Sequence, residues 1–180
     1  MNDARAICNT NPSYGVEFSI HACPKTLKRE LRNIFPGLES CDHLFVIPTF
    51  QKANIELLDF SHNPAVEAEK DRLLNNFIAF AKHFKQAVQE QQPAAVRFAD
   101  FTEPSSGLPF FSPRGGSTYA DVDGAELLLK YKTEEISGCR ILFHPTFGSA
   151  CYPATIFISN TDDSSNRDAI LRILQSITKS

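Results

Sequence analysis

The sequence predicts a layered domain of sheet and helices, α/β or α+β, and three observations lead to it. Val66, Leu73, Leu74, Phe77, Ile78, Ala81, Phe84 and Val88 recur at helical spacing behind Asn63-Pro64, which marks one long helix with a wide apolar stripe. Several short β-rich runs alternate with segments rich in proline and glycine. The chain ends in a second amphipathic stretch with Ile170, Ile173, Leu174 and Ile177 on one face. Apolar stripes of this kind have to be covered, and strands interleaved with helices supply the sheet that covers them.

At 180 residues the chain is long enough for one domain that buries roughly 70% of its unfolded surface. The expected division is a flexible N-terminal segment, 1–15, followed by a single globular domain, 16–180. Val16-Glu-Phe-Ser-Ile20 alternates like a half-buried strand, and Pro24 then opens a helix carrying Leu27, Leu31, Ile34 and Phe35 that stops at Pro36-Gly37. His43 to Phe50 is β-rich, and Pro48, which has no amide to donate, implies that this strand ends early or lies at a sheet edge.

The long helix starts at Asn63-Pro64, a cap followed by proline at the first helical position, and runs to about Glu90. Glu67, Glu69 and Asp71 in its early turns and Lys82 and Lys85 near its end suit the helix dipole, and His83 reads as a rim residue. Ala94 to Phe101 is a strand that feeds a long loop, and Asp123 to Tyr131 is a short helix. Cys139 to Phe143 and Ala154 to Ser159 are short strands joined by a second loop, His144 to Pro153. Ser165 and Asp168 are spaced as a capping box for the terminal helix.

The balance of 42% apolar and 22% charged residues is that of a globular protein, and a net charge of -3 gives no basic field to gather nucleic acid or anionic lipid. The longest apolar runs are strand-sized, far short of a membrane span. The first residues carry neither a secretory nor a mitochondrial leader pattern, so the chain as written is expected in the cytoplasm, with a mitochondrial form if a leader has been removed. Five cysteines without a C-x-x-C pair argue for free thiols in a reducing compartment.

Phosphate-cradling glycine loops and paired metal-binding histidines do not occur. A cysteine hydrolase could be assembled from Cys139 or Cys151 with His144, although no family signature supports it. Cys139 stands out among the thiols because Gly138 before it leaves room for a bulky ligand or another backbone. Alternation also places Cys139 with Ile141 and Phe143, as it would a core cysteine.

The loop from Ala99 to Pro113 sets Phe101, Leu108, Phe110 and Phe111 among three prolines and a glycine. Such a segment keeps a shape at limited entropic cost. It serves either as a lid on its own core or as a surface for a partner.

Several ordered stretches together resemble the methylmalonic aciduria and homocystinuria type D family of cobalamin-trafficking proteins. They are Val16 to Pro24, Thr49-Phe-Gln-Lys52, Glu67 to Ile78, Ala99-Asp-Phe101, Pro104-Ser-Ser-Gly-Leu108 with Phe110 and Phe111, and Gly138-Cys139 through His144 and Gly148. The Pro-Ser-Ser-Gly-Leu motif is the most specific. The resemblance implies an α+β fold, a layered sheet-and-helix sandwich similar to flavin-dependent nitroreductases but without flavin, and no enzymatic activity.

It also implies an adaptor that docks on the type C cobalamin-processing protein as a heterodimer and directs the cofactor to methionine synthase or methylmalonyl-CoA mutase. The chain would bind no cofactor stably by itself and would share cobalamin with that partner. Pro104, Ser105, Ser106, Gly107, Leu108, Phe110, Phe111 and Arg114 are then the candidate partner-binding residues, with the 144–153 loop beside them. Cys139 is the candidate thiolate ligand of cobalt, although the chain carries Gly138-Cys139 where the family pattern has two consecutive cysteines. His144 is expected to be structural, with cobalt ligation as its alternative. The rival from another class is a flavin oxidoreductase of the nitroreductase type, for which the chain lacks a compact basic cluster to hold the flavin phosphate.

Overall fold

The computed structural model describes residues 8–58, 63–92, 94–160 and 166–179. Strands β1 (Asn9–Asn11), β2 (Val16–Phe18) and β3 (His21–Ala22) precede helix α1 (Lys25–Ile34), and β4 (Leu44–Lys52) precedes α2 (Pro64–Gln91). Next come β5 (Val96–Glu103), β6 (Leu108–Pro109) and α3 (Asp121–Leu129), then β7 (Lys132–Ile136), β8 (Cys139–Phe143), β9 (Cys151–Asn160) and α4 (Asn166–Ser176). The main sheet runs β1-β2-β4-β9-β5-β6 with β3 also paired to β4, while β7 and β8 form a separate hairpin. Every strand pair is antiparallel, which makes the domain α+β.

The long helix forms where its cap predicts. Asn63 Oδ1 accepts from the Ala65 amide at 2.9 Å, Pro64 occupies the first helical position, and the helix continues to Gln91. Its buried stripe includes Phe80, which joins Phe77 and Phe84 in the core, and also Glu69. Glu69 is tolerated there because Arg72 and the Asn54 amide both donate to its carboxylate, which holds its pKa down to about 2. Helix α1 leaves helical geometry at Phe35, as the following Pro36 demands.

The sheet is covered on both faces. Phe45 and Ile47 of β4 pack with Phe77, Phe84 and Ile170 from α2 and α4, while Leu44 and Val46 of the same strand pack with Leu27, Leu31 and Ile34 of α1. A third cluster seats α3 and the β7–β8 hairpin over Phe50 through Ala125 and Leu142. The period-two alternation of β4 therefore serves two different helical layers.

Some expectations need correction. β4 is a central strand and runs through Pro48, which pairs with Thr155 of β9. The Pro48 carbonyl accepts from Ser19 at 3.2 Å, so the missing amide faces the break between β2 and β3, where no ladder bond is lost. Residues 9–11, expected within a flexible segment, form β1, and Asn11 is buried with its amide donating to Leu174 and Ile177 carbonyls. β7 was not expected, and β9 begins at Cys151, so the second loop is shorter than 144–153. Ser165 of the expected capping box lies outside the described residues.

Candidate functional site

The segment after β5 is a built structure. Glu103 ends the strand, and its carboxylate accepts from the Ser105 amide and hydroxyl and from the Ser106 amide at 2.7–3.0 Å. Gly107 closes the turn at φ +68, and a Cβ there would meet the Tyr119 carbonyl at 2.4 Å. Pro-Ser-Ser-Gly-Leu is thus a turn whose glycine is required both by its backbone conformation and by close approach. Gly107 is itself buried, whereas Ser105 and Ser106 are exposed.

Beyond the turn the chain is clamped by Asp100. Its buried carboxylate accepts from the amides of Phe101 at 2.8 Å, Phe111 at 3.1 Å and Ser112 at 2.8 Å. The clamp seats Phe110 in a stack on Phe101 with ring centres 4.5 Å apart, under the Lys82 ammonium. Phe111 packs edge-on to both rings but remains 47% exposed, with the Lys85 ammonium over it. The loop is therefore both lid and surface, with Phe110 packing down and Phe111 showing. Arg114 is exposed, and Gly115 next to it lies so close to α1 that a Cβ would sit 1.8 Å from the Asn33 carbonyl.

Cys139 follows a two-residue hairpin turn. Ser137 and Gly138 both have positive φ, 52° and 80°, and the Ile136–Cys139 pair flanks them. Nothing lies within 4 Å of a Cβ built on Gly138, so the glycine serves the turn and not the approach of another group. The core-cysteine reading fails, because Leu142 is the buried residue of β8 and Cys139 is exposed. Ser-Gly between two short β-rich runs was the signal that could have revealed β7.

The hydrolase reading also fails. Cys139 and His144 are five residues apart along an extended strand, on the order of 16 Å. Cys151 is buried, and desolvation together with Glu17 pushes its thiol pKa up, the reverse of activation. His144 is buried and accepts from the Thr146 and Phe147 amides through Nδ1, each at 3.2 Å, which leaves the proton on Nε2, 3.4 Å from Glu17. Its ring stacks on Phe147, and burial lowers its pKa to about 4. It organises the turn closed by its paired bonds with Gly148 and stands far from the exposed thiol.

Two clefts meet between α2 and α3. The larger, about 570 Å³, is walled by Lys70 and Leu74 of α2, Pro104 and Ser105 of the turn, the start of α3 and Tyr152 of β9. The smaller, about 300 Å³, is lined by Leu57, Leu58, Cys139 and Ile141. They share Lys70, Val122, Arg140 and Pro153. The structure thus brings the Pro-Ser-Ser turn and Cys139 to one continuous groove, with Arg140 between them held by Asp123 and Glu126. Phe110, Phe111 and Arg114 line neither cleft. Asp121, buried in the larger cleft, was missed, since the short helix was expected to begin at Asp123, whereas it begins at Asp121.

A family model described as methylmalonic aciduria and homocystinuria type D protein matches residues 2–173. Among curated proteins, the cobalamin trafficking protein CblD of Mus musculus is 31% identical over 150 residues, which is 83% of this chain and 48% of that protein. The proteins of the same name from Gallus gallus and Homo sapiens are each 30% identical over 149 residues, with the same shares covered. The chain spans about half the length of the curated relatives it matches.

Proposed function

This chain belongs to the methylmalonic aciduria and homocystinuria type D protein family, and from that premise we propose that it is a non-enzymatic adaptor in cobalamin trafficking. It docks on a type C cobalamin-processing protein and directs the cofactor to methionine synthase, to methylmalonyl-CoA mutase, or to both. The observation that carries this reading is the exposed Cys139 at a hairpin turn on the rim of a groove that also holds the Pro-Ser-Ser turn. A soft thiolate on a fixed β-turn is suited to ligate the cobalt of a corrinoid carried by a partner, because cobalt accepts sulfur ligands and the turn costs little ordering on docking.

In this reading cobalamin is cargo held jointly with the partner. Phe111 and Arg114 are the exposed aromatic and basic side chains of the clamped loop and the natural anchors for a protein surface. Phe110 acts beneath them as support. The sandwich is of the nitroreductase kind without flavin, and the protein works in the cytoplasm or, with a leader, in mitochondria.

A visible absorption titration under reducing conditions tests the proposal. The chain alone is expected to be colourless. Added to type C partner loaded with cob(II)alamin, it shifts the corrinoid bands, and Cys139→Ser loses that shift while binding persists. A flavin spectrum in the purified chain overturns the adaptor reading in favour of a flavin oxidoreductase. Corrinoid bands that do not move on mixing remove Cys139 as a ligand.

A further inference from the structure

We infer that the larger cleft is a binding site for a primary carboxamide, with Asp121 as its recognition group. The cleft, at about 570 Å³, has room for a small polar arm and is partly apolar, with Leu74, Val122, Tyr152 and Pro153 on its walls. Asp121 is 9% exposed, and one carboxyl oxygen accepts from the Thr155 hydroxyl at 2.6 Å. No cation compensates it among the described residues. Arg140 is engaged by Asp123 and Glu126, and Lys70 by Glu67.

A buried carboxyl without a cation holds its proton, and desolvation raises the Asp121 pKa to about 7. A protonated carboxyl both donates and accepts, which complements the C=O and N–H of a primary amide side by side. Tyr119 also lines the cleft, and its buried hydroxyl makes no hydrogen bond among the described residues, although it lies near Thr155. A carboxylate ligand would meet Glu67, Asp71 and Asp123 on the walls. An ammonium would find Glu67 and Asp123 already paired with Lys70 and Arg140, and a protonated Asp121 offers it no countercharge.

The charged groups around Asp121 are Glu67, Lys70 and Asp71 of α2, Asp123 of α3, Arg140 of β8 and Glu103 at the end of β5, with the phenols of Tyr119 and Tyr152 beside them. Of these, Glu103 adds to burial in raising the pKa. On the proposed trafficking role, from which this source follows, the carboxamide is an amide arm at the edge of a corrinoid whose cobalt faces Cys139 in the adjoining cleft. The other source of the same group is an Asn or Gln side chain of the docked partner.

NMR titration of the isotope-labelled chain with propionamide, propionate and propylammonium at pH 6.5 tests the site without a corrinoid or a partner. Propionamide is expected to shift the amides of Ser105, Val122, Asp123 and Tyr152 saturably, with propionate and propylammonium at least tenfold weaker. Its affinity falls by up to about tenfold per pH unit above 7, as Asp121 loses its proton. Asp121→Asn keeps the response and abolishes its pH dependence, and Asp121→Leu removes the response. Equal binding of propylammonium, no saturable shift with propionamide, or loss of the response in a folded Asp121→Asn overturns the proposal.

Titrations with cobinamide, whose arms are amides, and cobyrinic acid, whose arms are carboxylates, then distinguish the sources. Cobinamide moving the same amides supports the corrinoid. Partner affinity falling at least tenfold in Asp121→Leu without any corrinoid supports a partner side chain. A failure of cobalamin handover leaves the propionamide result standing, so the two readings fail separately.

Discussion

Asp100 and Asp121 are both buried carboxyls near the turn that follows β5, and their surroundings assign them opposite tasks. Asp100 accepts three backbone amides and holds a loop in place. Asp121 accepts one hydroxyl and opens on a cleft. Burial alone therefore does not say whether an acid is structural or available. The supply of donors decides, because three backbone amides commit the Asp100 carboxylate to its loop, whereas beside Asp121 the nearby cations are already paired and burial favours the protonated form.

The largest effect expected of this contrast is at the clamp. Asp100→Ala leaves the Phe101 amide buried without its acceptor and frees the loop at Phe111 and Ser112, for a loss of about 3–4 kcal/mol. Urea denaturation of the variant measures it. Amide exchange should localise the loosening to 110–116, with α1 affected through the Gly116 bond to Asn33. A loss below about 1 kcal/mol would mean that the aromatic stack, not the carboxylate, holds the loop.

At the cleft the sign reverses and depends on pH. Asp121 has its folded pKa raised from 3.8 to about 7, so the native state holds a proton that the unfolded state has already released, and stability falls as pH rises between those values. That displacement sets an upper bound of about 4 kcal/mol. Asp121→Asn, which cannot ionise, should be more stable than the parent at pH 8 by about 2 kcal/mol and indistinguishable from it near pH 4. His144 titrates oppositely. With its folded pKa lowered from 6.5 to about 4, its contribution is present above 6.5 and is lost as pH falls toward 4. Denaturation midpoints of parent and Asp121→Asn across pH 4–8 separate the two, since His144 titrates in both proteins and cancels, so the difference that grows between pH 4 and about 7 belongs to Asp121.

How far these regions were legible in the sequence follows from how local their causes are. The long helix was readable because its cap, proline and stripe are all contiguous signals, and Pro-Ser-Ser-Gly-Leu was readable as a shaped turn for the same reason. Pro48 misled because the break between β2 and β3 that excuses it lies some thirty residues upstream. Gly138 misled because a turn glycine and a close-approach glycine look alike in one dimension. The groove was not legible at all. It arises where β5 stops pairing with β9 at Ile156 and the helices on either face leave a gap, a consequence of register and not of any one segment. Cys139 was singled out, but its exposure, and its distance from His144, became evident only with the hairpin.

The smallest expected effect tests whether the cleft is as unspent as the Asp121 environment implies. The Tyr119 hydroxyl is buried against Gly124, where a Cβ would stand 1.9 Å from it, and forms no hydrogen bond among the described residues. Removing a group that makes no bond should cost nothing, so Tyr119→Phe is expected to change stability by less than about 0.5 kcal/mol, or to raise it slightly by relieving an unpaired buried hydroxyl. Were the hydroxyl bonded to Thr155, the same substitution would cost about 1 kcal/mol and would also disturb the Thr155 bond to Asp121. The pH dependence distinguishes these cases. An independent hydroxyl leaves the Asp121 titration where it was, whereas one coupled through Thr155 moves it. A cleft group whose loss leaves both stability and titration unchanged is free to bind a ligand, which is the property that Asp100 has given up to its loop.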